Sequence, residues 1–120
     1  MNNLDDYHQK EYHSTDYNCS HFVRDLWFDL TGQDICDLVG AFNSGRLGPA
    51  MSVRRGLVRL DNPEDPCIVW FVLPGFTPHV GIFVERGVFH MTPDGPRYQP
   101  LALLQNLYQN TKFYKCQTLN

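Results

Sequence analysis

The stretch "HVGIFVERGVFHMT", His79 to Thr92, decides the fold class. Its two apolar, β-branched and aromatic runs are separated by a polar turn around Glu85 to Gly87, which reads as a β-hairpin. Strand alternation puts His79, Gly81 and Phe83 on one face of the first strand and Val80, Ile82 and Val84 on the other. Two turns are open. A two-residue loop at Glu85-Arg86 pairs Gly81 with His90 and sets both histidines on one face as diagonal neighbours, about 7–8 Å between backbones. A three-residue loop ending in a left-handed Gly87 instead pairs Ile82 with His90 and turns His90 to the opposite face from His79, unless a bulge corrects it.

Outward from the hairpin, "CIVWFVL" (67–73) is a continuous apolar run closed by Pro74-Gly75, as expected of a buried strand. On the other side, "PDGPRYQP" (93–100) reads as a loop on turn residues, "LALLQNLYQ" (101–109) as a short helix and "TKFYKCQ" (111–117) as a closing strand. Far upstream lies the best-defined helix, in "DYNCSHFVRDLWFDLTG" (16–32). Phe22, Val23, Leu26, Trp27 and Leu30 recur there at helical spacing, with Arg24, Asp25 and Asp29 opposite. Asp16 or Asn18 can cap its start, and Gly32 can end it in the left-handed conformation. A weaker helix is expected through "DICDLVGAF" (34–42), and Gly45 to Pro66 reads as irregular surface chain with one short element at Leu57 to Leu60. Helices first and an antiparallel sheet afterwards give an α+β domain.

The 120 residues suit a single domain, 1–120, with 42% apolar and 13% aromatic residues. Ten basic and thirteen acidic residues give a net charge of −3. The positives are scattered, and Arg54, Arg55 and Arg59 form too small a cluster to track a phosphate backbone, so no nucleic-acid partner is expected. The acidic balance argues against a membrane surface, no apolar run approaches the roughly 20 residues of a bilayer span, and "MNNLDDYHQKEYHSTDY" lacks the pattern of a signal peptide. Cys19, Cys36, Cys67 and Cys116 show no CxxC pair, so free thiols are expected, although an even count leaves disulfides open. His8, His13 and His21 lack metal-site spacing; neither a metal nor another cofactor is expected.

Cys19 falls in the first turn of the helix under either cap. Unpaired N–H groups and the helix dipole there favour a thiolate, and the same N–H groups can face an oxyanion. Taken alone, Cys19 also fits an inert core thiol, since it stands three before Phe22 on the apolar face. His79 changes that balance, because an imidazole near the thiol can take its proton and return it to a leaving group. Gly81, two residues along on the histidine's face, marks a close approach, and the start of the cysteine helix is a candidate for what approaches. His90 is the candidate third member, which would hold the tautomer of His79.

These residues resemble the NlpC/p60 family of papain-like cysteine peptidases, which cut peptide stems of bacterial cell walls. The family's nucleophile motif is Asp-Cys-Ser-Gly at a helix start, followed by an aromatic or aliphatic pair; here it is "NCSHFV". Its base opens a strand of the form His-Val-Gly-Ile-aromatic, with a polar residue about a dozen positions on; here these are "HVGIF" and "FHM". The resemblance spans about residues 12 to 102. It implies a papain-like fold, Cys19 as nucleophile, His79 as base and His90 as orienting residue, with Tyr17, Asn18 and Ser20 binding substrate. The implied substrate is a peptidoglycan stem peptide, cut near the γ-D-glutamyl to diaminopimelate bond.

Asn18 stands where the family has an acid and His21 where it has a glycine. Asn18 brings no charge to hold the substrate's amino terminus, and this leaves a catalytically inactive structural subunit as an alternative. "NCSHFV" also resembles "NCEHFV" of the lecithin retinol acyltransferase-like proteins, a permuted, lipid-acting branch in which the histidine precedes the cysteine. A short chain of this kind looks most like the small domain at bacteriophage tail tips. That would place it in the virion tail, or in the host cytoplasm before assembly, with other tail-tip proteins as partners. A secreted amidase effector is a further alternative.

Overall fold

The structure, a computed structural model, describes residues 4–35, 56–72, 79–108 and 110–116. Helix α1, Cys19–Thr31, carries Phe22, Val23, Leu26 and Trp27 on its buried face, and Gly32 ends it at φ 77° while donating its N–H to the Phe28 carbonyl. Ahead of it the 3-10 helix Leu4–Gln9 inserts Tyr7 into the core. The Tyr7 ring meets Phe22 edge-on at 5.6 Å between centroids, and its hydroxyl donates to the Asp25 carbonyl at 3.1 Å and to the Asp29 carboxylate.

Among the described residues six antiparallel strands make one sheet: β1 Leu57–Leu60, β2 Cys67–Val72, β3 His79–Val84, β4 Gly87–Thr92, β5 Gly95–Gln99 and β6 Asn110–Cys116. Their order is β1-β6-β2-β3-β4-β5. Alternation divides the core between the two faces. Ile68, Trp70, Val80, Ile82, Val84, Phe89, Met91 and Tyr114 pack against α1. Cys67, Val69, Phe71, Val88 and Phe113 face the other way, where Leu104 of the short helix α2, Leu101–Leu107, covers them. Being buried on both sides, β2 shows the unbroken apolar run seen in its sequence. The α+β class expected from the sequence is what forms. No helix among the described residues is long and apolar enough to cross a membrane.

One element overturns its sequence reading. "PDGPRYQP" contains strand β5, which pairs with β4 from Thr92↔Gly95 to Val88↔Gln99. Pro93 and Asp94 form the turn, closed by the Thr92 hydroxyl donating to the Gly95 carbonyl at 2.7 Å. Pro96 is tolerated because β5 is an edge strand, where a missing N–H need not break a ladder. The short element expected at Leu57 to Leu60 is β1, whereas most of the helix expected over 34–42 lies outside the described residues.

Candidate active site

Asn18, not Asp16, caps α1, which makes Cys19 the first helical residue. The Asn18 Oδ1 accepts from the Ser20 N–H at 3.0 Å and from the Ser20 hydroxyl at 2.6 Å, and its Nδ2 donates to the Ser14 carbonyl at 3.2 Å. His21 completes a capping box, its Nδ1 accepting the Asn18 N–H at 3.0 Å as a Glu or Gln side chain otherwise does. This explains a histidine at the position: it serves the helix start as an acceptor, for which it must be neutral. Burial pushes its pKa down, and Arg24 adds to that.

The β3–β4 turn selects between the two registers left open by the sequence. Glu85 and Arg86 both have positive φ, 53° and 70°, the signature of a two-residue type I′ hairpin loop. Gly87 is not left-handed but lies in β4, paired with Val84. Non-glycine residues resist such φ values. Two distant groups hold them there: the Asp65 carboxylate accepts from the Glu85 N–H at 3.0 Å, and the Tyr98 hydroxyl donates to the carbonyls of Val84, at 2.8 Å, and Glu85.

The resulting register, with Ile82 opposite Phe89, brings His79 and His90 to the sheet face away from α1. A Cβ on Gly81 would stand 2.9 Å from Val88 Cγ1, 3.0 Å from His90 Cβ and 3.1 Å from the Phe89 carbonyl oxygen. What approaches this glycine is therefore β4 rather than the cysteine helix, and the missing side chain lets the histidine strands close together.

His79 Nε2 lies 2.8 Å from His90 Nδ1, and His90 Nε2 lies 2.7 Å from Gln99 Oε1. His90 is only 3% exposed, so both its nitrogens are satisfied inside the protein. The His79 ring is stacked on Tyr108, with an interplanar angle of 11°, and on Phe71, at 27°, each with centroids 6.0 Å away. Burial in this setting, with His90 adding to it, lowers the His79 pKa to about 3. His90 is also pushed down by burial; the Gln99 hydrogen bond opposes this and Arg97, opposite in the β-ladder, reinforces it. Both imidazoles rest neutral.

Cys19 comes to this group through two neighbours. The N–H of Val80, next to His79, donates to its sulfur, and its charge would be felt at Tyr108, whose ring stacks on His79. The preference of a helix start for a thiolate is opposed here by burial. Burial pushes the thiol pKa up, and the N–H groups of Val80, Cys19 and Ser20 recover only part of that. A half-buried sulfur loses more water than the helix start replaces.

Of the three residues expected to do chemistry, His79 and His90 are thus hydrogen-bonded to each other, and Cys19 is tied to the start of β3 by the N–H of Val80. The residues expected to bind substrate, by contrast, have their polar groups engaged locally: Asn18 and Ser20 with each other, and the Tyr17 hydroxyl with Asp25 Oδ2 at 2.8 Å. Sequence reasoning missed Gln99 and Tyr108. Reading "TPDG" as a second hairpin turn would have put Gln99 on the His90 face; Tyr108, at the end of α2, carries no such signal. Among the described residues no group of three or more His, Cys, Asp and Glu side chains is placed to hold a metal ion, and Cys19, Cys67 and Cys116 are free thiols. Compared with protein-family models, with curated proteins and with solved structures, the chain has no match.

Proposed function

We propose that the protein is a papain-like thiol hydrolase that cleaves a peptide amide. The observation that carries this reading is the ordered pair of imidazoles, His79 and His90, together with a helix-start cysteine whose sulfur accepts from the N–H of Val80, the residue after His79. In the proposed cycle the Cys19 thiol gives its proton to His79 as its sulfur bonds to the carbonyl carbon. The carbonyl oxygen takes the negative charge, facing the Cys19 N–H at the helix start. Collapse breaks the C–N bond, and the His79 imidazolium protonates the departing amine. Water then attacks the thioester, losing a proton to His79, and the acid leaves as the thiol regains that proton. Because both partners rest neutral, proton transfer accompanies attack instead of preceding it.

The substrate class follows from the resemblance of "NCSHFV" and "HVGIF" to the cell-wall peptidases: a peptidoglycan stem peptide, opened by a component of a bacteriophage tail tip. Asn18 supports a substrate end held without an ion pair, since its side chain already serves the cap and carries no charge. A second reading, a structural tail-tip subunit with the fold but not the activity, is favoured by the raised thiol pKa. Mass spectrometry of peptidoglycan fragments separates them. New stem-peptide termini that disappear with Cys19→Ala and His79→Ala are expected; intact walls of several chemotypes after treatment with folded wild-type protein would favour the structural subunit.

A further inference from the structure

We infer that Gln99 is a positioning residue whose side-chain carbonyl sets the order of protons along His90 and His79. The inference concerns the same site as the thiol-hydrolase reading and, for its consequence in catalysis, rests on it. Gln99 ends the edge strand β5, pairs with Val88 in the ladder and lies on the face that carries His90.

Its Oε1 sits 2.7 Å from His90 Nε2 and has no hydrogen to give. The proton in that contact therefore belongs to His90 Nε2. A neutral imidazole has one N–H, so His90 Nδ1 is a lone pair, and the 2.8 Å contact with His79 is made by a proton on His79 Nε2. His79 Nδ1 is then left as the acceptor that a general base requires. An amide presenting its NH2 group instead would reverse each step: His90 would accept at Nε2 and donate from Nδ1, His79 would accept at Nε2, and its Nδ1 would carry hydrogen. One side-chain amide at the sheet edge thus decides whether His79 can take a proton from a thiol. Arg97, across the ladder from His90, disfavours the doubly protonated ring that would evade this choice.

The test uses the full chain labelled with 15N, and long-range proton–nitrogen correlation at neutral pH reports which nitrogen of each ring is protonated. Wild type should show Nε2–H for both His79 and His90. Gln99→Met, which keeps the length but removes the acceptor, should give mixed tautomers at His90 and His79, and Gln99→Glu, which restores an acceptor, should return Nε2–H at both. Alkylation of Cys19 by iodoacetamide at neutral pH should slow by roughly tenfold in Gln99→Met, as expected when a general base is partly in the wrong tautomer, and recover in Gln99→Glu. Should Gln99→Met fail to fold, Gln99→Asn, whose amide is one methylene short of His90, takes its place with the same expected result.

Nδ1–H at His90 in wild type, or tautomers unchanged in the acceptor-deficient variant, overturns the inference. Failure of the hydrolase reading appears elsewhere, as wild-type protein that leaves peptidoglycan intact while the tautomers respond to Gln99 as described.

Discussion

At Cys19 two effects of similar kind oppose each other on one sulfur. Three N–H groups point toward it, and burial takes away more solvation than they return. We expect a pH profile of Cys19 alkylation whose midpoint lies on the alkaline side of an ordinary thiol; a midpoint below neutrality would instead mean a resting ion pair with His79. The cap next to it is separable from the chemistry. Asn18→Ala removes the acceptor of the Ser20 N–H and should cost about 1 kcal/mol in urea unfolding, whereas Asn18→Asp should keep most of that stability. At this scale the sequence was informative where the physics is local. The helix start, its cap and its cysteine lie within a few residues of one another, so their relation could be read directly. The thiol's proton affinity could not, because it depends on how deeply β3 and Tyr108 bury it, and those come from positions some sixty and ninety residues on.

The β3–β4 hairpin is the element on which the site turns. Its loop is strained at Glu85 and Arg86, so replacing them by Asn-Gly, which adopts positive φ readily, should stabilise the protein by about 1 kcal/mol in thermal or urea unfolding with His79 and His90 still paired. One residue inserted between Arg86 and Gly87 should do the reverse. A one-residue slip turns β4 over, carrying His90 to the α1 face, and loss of the His79–His90 contact in the NMR spectrum is the expected sign. Gly81→Ala tests the closeness of the strands, since its methyl group has no room against Val88 and His90; we expect destabilisation of about 1–3 kcal/mol. The sequence left two registers open for a physical reason. The groups that hold the left-handed turn, Asp65 and Tyr98, stand 20 and 13 residues from Glu85 and give no local signal. Strand β5 was illegible for a related reason, because turn residues at both ends and a proline within it obscure a pairing that β4 supplies.

Over the whole molecule the buried neutral histidines couple stability to pH. The folded His79 pKa is about 3 against an ordinary 6.5, so between those values the unfolded chain binds a proton that the folded chain does not. Stability is thus complete above pH 6.5 and is lost as pH falls, with a slope approaching 1.4 kcal/mol per pH unit and reaching about 3 kcal/mol from His79 alone at pH 4. His90 and His21, also lowered, act in the same direction. Urea midpoints measured from pH 7 to pH 4 should show this fall, and His79→Leu, which has no group to titrate there, should flatten part of it. The strand order adds a dimension of time. Strands β2 to β5 follow one another as neighbours, so the portion holding His79, His90 and Gln99 can zip together by short hairpins. Strand β6 must instead thread between β1 and β2, closing loops of about forty residues or more, and the free edge of β2 stays open to other chains until it does. We therefore expect the imidazole array to form early and the sheet that supports it to be sealed last, by residues 110–116, so that in pulsed hydrogen exchange during refolding the β3–β4 amides gain protection before those of β6.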